Sequence, residues 1–194
     1  LWLGWVSMLT RNPLTEDPSL AFTGWLLLAY AVMPPGEGLT FNKNKNWKMP
    51  IILHEGAWIV LGAAYTFSGL AKLFSPSWVD GSAMSYIFQT SISHIGTSLA
   101  QNIPYFLLAF TTWVVLASQI ASLPLVLFKK TRFIIWTLGL VMHVLTILTL
   151  NLVDVSLAMI IFHLFVMEAT WIRKITQPAS QQPSNKPRTP SAHR

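Results

Sequence analysis

Residues 51–74 read IILHEGAWIVLGAAYTFSGLAKLF, 24 positions whose only ionisable members are His54, Glu55 and Lys72. At 1.5 Å per residue, a helix needs about 20 apolar residues to cross a hydrocarbon core of ~30 Å. The stretch is long enough, and its composition predicts a membrane-spanning helix. Three more runs follow: Ile103–Phe128 with 26 residues, Phe133–Leu152 with 20, and Val155–Ile172 with 18. A shorter run, Leu20–Met33, has 14 residues. Asp17 and Pro18 suit its N-cap and first turn, and Pro34, Pro35, Gly36 and Gly38 end it. It reads as a thin or tilted span, or a re-entrant segment. The apolar stretch Leu1–Leu9 has no basic leader region or cleavage site, and reads as the end of a helix that starts outside this sequence. The Val153–Asp154 connection is so short that the last two helices are expected to be antiparallel neighbours.

Composition agrees. Of 194 residues, 53% are hydrophobic and 10% charged, and mean hydropathy is +0.50. A soluble domain carries about 25% charged residues. The aliphatic and aromatic content excludes a disordered chain. With no cysteine, a disulfide framework, a zinc-thiolate site and a redox dithiol are excluded. The net charge of +6 does not point to nucleic acid, because the basic residues fill short gaps between apolar runs rather than one face. Lys43, Lys45, Lys48, Lys129, Lys130, Arg132, Arg173, Lys174, Lys186, Arg188 and Arg194 fall on one side of the expected topology, and only Arg11 on the other. That asymmetry puts the C-terminus in the cytoplasm and the 75–102 loop outside. Trp47, Trp78 and Trp171 stand near span ends, as interface anchors do. The expectation is an all-α, multi-pass transmembrane helical bundle over residues 1–172, N-terminally incomplete, with a basic disordered tail over 173–194. Its first partner is the lipid bilayer.

Few residues in such a chain can carry chemistry. Lys72 lies inside a span, where an ammonium is costly and normally faces the bundle or water. Gly69, Ser68 and Tyr65 are three, four and seven residues back, a face whose small residues admit close approach of a neighbouring helix. Lys72 either snorkels to headgroups or is sheltered as a neutral amine, a competent general base. His143 and His163 fall at matched depth in neighbouring helices, roughly 14–15 Å from their cytoplasmic ends. They read as axial haem ligands, as a proton relay or quinone contact, or as groups that merely hydrogen-bond across the bundle. His54 and Glu55 read as interfacial capping residues, and Glu168 as solvated or paired to Arg173. His94 and Asp80 fall in the long outer loop. No metal-spaced cluster, phosphate loop or nucleophile elbow appears.

The segments Tyr65-Thr-Phe-Ser-Gly-Leu-Ala-Lys-Leu and Ser77-Trp-Val-Asp-Gly-Ser-Ala-Met-Ser-Tyr resemble the horizontally transferred transmembrane (HTTM) family, which includes the vitamin K-dependent gamma-carboxylases. The similarity rests on Tyr65, Gly69, Lys72, Leu73, Trp78, Asp80 and Gly81. Thr131-Arg132 followed by His143 is also similar, as are Arg11-Asn12-Pro13 and Pro34-Pro35-Gly36-Glu37. The resemblance implies a base at Lys72 that deprotonates a reduced, vitamin K-like quinone before it reacts with oxygen. It implies carboxylation of a glutamate on a protein substrate, and a functional histidine at His143. Tyr65 and Trp78 would frame the substrate. Two other readings remain at this point: a haem-binding electron-transfer protein using His143 and His163, and a non-catalytic membrane scaffold. A bacterial inner membrane is the expected location.

Overall fold

The computed structural model describes residues 49–90, 92–93, 102–168 and 170–171, with Leu3, Ser7, Gly24, Leu26, Leu27, Leu28 and Ala31. Most of the expected segments Leu1–Leu9 and Leu20–Met33 lies outside the described residues. So do Arg11, Lys43, Lys45, Trp47, Lys48, His94 and the 173–194 tail.

Among the described residues the protein is helical throughout: α1 Ile51–Lys72, α2 Pro76–Val79, α3 Ala83–Gln89, α4 Tyr105–Ile120, α5 Ser122–Val126, α6 Arg132–Thr149 and α7 Val153–Val166. The only β pairing is an isolated bridge between Ser93 and Leu150. By length and composition, α1 and α6 can cross a membrane, while α4 and α7 are apolar but shorter. Prolines set several starts. Pro50 precedes α1, Pro104 precedes α4, and Pro76 opens α2, where a missing N–H costs nothing.

The core lies between α1, α5, α6 and α7. Trp58, Leu61, Tyr65, Val126, Ile135, Met159, Phe162 and Val166 are buried together there. Gly62 and Gly69 let α1 approach its neighbours closely. A Cβ at Gly69 would stand 2.8 Å from the Ile120 nitrogen, and one at Gly62 would meet Val126 and Leu123.

Two connections differ from the hydropathy reading. The continuous span expected over 103–128 breaks at Ala121 into α4 and α5. Pro124 has no N–H to offer the Ile120 carbonyl. Thr66 of α1 repairs the break: its hydroxyl lies 3.2 Å from the Gln119 and Ile120 carbonyls and accepts the Leu123 N–H at 2.9 Å. The expected turn at Val153–Asp154 is displaced. Leu150–Leu152 make the connection, and Asp154 sits in the first turn of α7, where its charge suits the helix dipole. The neighbour relation of α6 and α7 is as expected, since the Trp136 indole donates to the His163 carbonyl at 2.7 Å.

An ionic cluster ties the ends where α1 and α6 begin and α7 stops. Arg132, only 4% exposed, bonds Glu55 at 2.5 and 3.2 Å and Glu168 at 3.4 Å, and donates to the Val126 carbonyl. Its guanidinium also lies over Trp58, 5.2 Å from the ring centre. Glu168, expected on Arg173 or in solvent, is thus held by Arg132. His54 caps α7 through Nε2 against the Val166 carbonyl at 3.1 Å.

Thr66→Val keeps the side-chain shape and removes the hydroxyl. It strands the part-buried Leu123 N–H, which costs up to roughly 1–3 kcal/mol. The thermal midpoint in detergent is expected to fall, and Thr66→Ser to restore most of the loss.

Candidate functional site

Three helices contribute one polar side chain each to a common point in the core. Spacing along α1 aligns Leu61, Tyr65, Ser68 and Lys72. Gly139 and His143 stand one turn apart on α6, as Met159 and His163 do on α7. Tyr65 Oη lies 2.8 Å from His143 Nε2 and 3.3 Å from His163 Nε2. His163 Nδ1 donates to the Met159 carbonyl at 2.7 Å. His143 is 7% exposed and His163 fully buried. The cluster fits because Gly139 has no side chain: a Cβ there would run into His163 Nε2 and stand 3.1 Å from Tyr65 Oη.

Lys72 is placed differently. Seven residues beyond Tyr65, it lies about 10.5 Å farther along the helix axis. Its ammonium donates to the Ser68 hydroxyl at 2.8 Å and sits 5.1 Å from the centre of the Trp78 ring, a cation–π distance. The side chain is half-buried. Lys72 and Trp78 are therefore brought together, and so are Tyr65 and His143. His143 is on the Tyr65 hydroxyl and not on the Lys72 amine.

The Trp78–Gly81 segment has a structural basis. Asp80 accepts the Ser82 hydroxyl at 2.6 Å and the Ser82 N–H at 2.8 Å. These bonds, the hydroxyl first, hold its carboxyl below the usual carboxylate range. Between them Gly81 adopts φ +87°, and a Cβ would lie 3.0 Å from the Trp113 ring. The segment turns α2 into α3 and folds it against α4, where Trp113 Nε1 donates to the Val79 carbonyl at 3.2 Å.

Beside the cluster is a small cavity of about 10 Å³, lined by Tyr65, Ser118, Gln119, Ser122 and Gly139 among others. That is room for roughly one water. The Gln119 Oε1 atom is buried without a partner among the described residues, as a water-binding acceptor would be. Ser118, Leu138 and Met142 also line a much larger cavity of about 360 Å³ between α3, α4 and α6. Its walls are apolar, Ile87, Phe88, Leu107, Val141 and Leu145 among them, with hydroxyls at Ser118, Thr111, Thr146 and Thr149. Lys72 and Trp78 are not among its lining residues.

These residues do not fit a bis-histidine haem. Both Nε2 atoms face Tyr65 Oη, and the rings are 5.7 Å apart. The tyrosine fills the gap a porphyrin iron would need. Among the described residues no group of three or more His, Cys, Asp or Glu is arranged to hold a metal ion.

Sequence reasoning found both histidines by their matched depth but not the phenol between them. Contacts 78 and 98 residues apart leave no trace in spacing. The one available signal was Gly139, a glycine one turn before His143. No family model, curated protein or solved structure matches the chain.

Gly139→Ala is expected to destabilise the protein by roughly 1–3 kcal/mol, the usual cost of overpacking. The ring of His163 must move to admit the methyl. A lower thermal midpoint and a shifted His163 ring signal in the NMR spectrum check this.

Proposed function

We propose that this chain is a multi-pass membrane protein of the HTTM kind that oxidises a reduced, vitamin K-like quinone with dioxygen. The membrane part of the reading is supported by the outer surface. Phe67, Phe74, Phe106, Phe110 and Leu148 are each more than half exposed, and water-facing surfaces rarely carry so much apolar area. The exposed Lys129 and Lys130 cap one end, consistent with a cytoplasmic C-terminus.

The observation that carries the chemical part is the apolar cavity of about 360 Å³ meeting, at Ser118, Leu138 and Met142, the layer that contains Tyr65. Phe88, Leu107 and Leu145 would hold the ring, and the Ser118 and Thr146 hydroxyls would orient its oxygens. A quinol supplies two electrons and two hydroxyl protons, which dioxygen takes up as hydrogen peroxide. Protein bases hold those protons on the way. Lys72, backed by Ser68 and Trp78, is the base implied by the HTTM resemblance. It shares its helix face with Tyr65, two turns nearer the outer end and outside the cavity lining, so the quinol's oxygen must extend beyond that lining to meet it.

Protein reconstituted in nanodiscs is expected to consume oxygen and a short-chain 1,4-naphthoquinol in equal amounts. Lys72→Met is expected to lower kcat at least about tenfold, since general bases contribute ~10²–10⁴. Unchanged turnover removes Lys72 from the reaction, and a wild-type protein inert to quinol leaves the scaffold reading. The absence of cysteine makes topology separately testable. A single cysteine at Asp80 is expected to label only from outside the membrane, and one at Lys130 only from the cytoplasmic side.

A further inference from the structure

A quinol releases two protons, and one lysine accepts one. We propose that His143, Tyr65 and His163 form a directed proton chain that accepts the other and passes it to His163. The inference rests on the quinol reading for its proton donor, and on geometry alone for its direction.

The direction follows from one carbonyl. Met159 O can only accept, so the 2.7 Å contact requires His163 Nδ1 to carry hydrogen. In the neutral ring His163 Nε2 is then an acceptor. Its partner is Tyr65 Oη at 3.3 Å, which must donate. A phenol has one hydrogen, so the 2.8 Å contact with His143 is met by His143 Nε2–H donating to Tyr65 Oη. Every hydrogen is thereby assigned. What remains is His143 Nδ1, a lone pair with no partner among the described residues.

That atom is the proposed entry: His143 itself lines neither cavity, but Met142 beside it and Thr146 one turn on line the larger one. When a hydroxyl proton bonds to His143 Nδ1, the His143 Nε2–H proton passes to Tyr65 Oη, and the original Tyr65 proton passes to His163 Nε2. Three bonds to hydrogen form and three break, counting the donor's O–H. His143 and Tyr65 end neutral, and His163 becomes an imidazolium. Both its N–H groups then have acceptors already in place, Met159 O and Tyr65 Oη. Gly139 is what allows His163 Nε2 to come this close. In these terms Tyr65 is a relay and His163 the terminal acceptor, not a group that touches substrate.

The test uses the full chain in nanodiscs with ¹⁵N-labelled histidine, signals being assigned through single His→Gln variants. His163 is expected as the Nδ1–H tautomer and His143 as the Nε2–H tautomer. Tyr65→Phe is expected to shift the ring nitrogens of these two and of no other histidine. His163 found as Nε2–H, or ring signals indifferent to Tyr65→Phe, overturns the chain whatever the ligand. In the naphthoquinol assay, Tyr65→Phe and His163→Gln are expected to lower kcat ~100-fold with KM changed less than about threefold. An active wild type with an equally active Tyr65→Phe overturns the relay and leaves the quinol reading standing. A wild type inert to quinol overturns the quinol reading and the assigned donor together, with the tautomers still deciding the chain.

Discussion

A polar side chain inside an apolar bundle is costly unless it finds a partner, and the Tyr65 hydroxyl supplies one for three helices at once. It lies between imidazoles from α6 and α7, so the relative height of α1, α6 and α7 is fixed to within a hydrogen bond. A slip of one residue along any of them would bare a buried donor or acceptor, which costs more than the bond itself contributes. The other polar contacts of α1 are in register with this one. Glu55 meets Arg132 toward one end, and Ser68 and Lys72 meet Trp78 toward the other. Apolar packing supplies most of the cohesion, but it is permissive about sliding, and these three layers are not.

Much of the architecture was legible because the apolar runs are so plain. The reading of 51–74 ends within two residues of α1, since nothing in that stretch competes with a helix. Where the reading failed, the cause lay between helices or at a charge. The run 103–128 looked continuous because hydropathy does not register a missing N–H. Pro124 was visible, but Thr66, the group that makes the break tolerable, lies 57 residues before Leu123. The turn before α7 was drawn to Asp154 because a charge looks like a loop residue, whereas a helix start welcomes it.

The candidate site was half legible for the same reason. Lys72 and Ser68 are four residues apart, and their bond follows from helix geometry. The equal depth of His143 and His163 could be counted. What joins them could not, because Tyr65 belongs to a helix that sequence order places far away. Trp78, Asp80 and Gly81 gained a meaning the motif alone did not carry. They build a turn whose glycine needs a positive φ and a close approach to Trp113, and that turn delivers the Trp78 ring to the Lys72 ammonium. A shared motif of this kind can mark a required shape as readily as a reaction.

The Thr66 contact makes the shape of one segment conditional on another. Until α1 lies alongside, the kinked α4–α5 unit has the Leu123 N–H and the Ile120 carbonyl unsatisfied at its bend, a heavy burden in any dry environment. The earlier segment therefore acts as an intramolecular template for the later one. The bend of α4 and α5 is thus stable only in the company of α1, and its shape belongs to the pair of segments rather than to either alone.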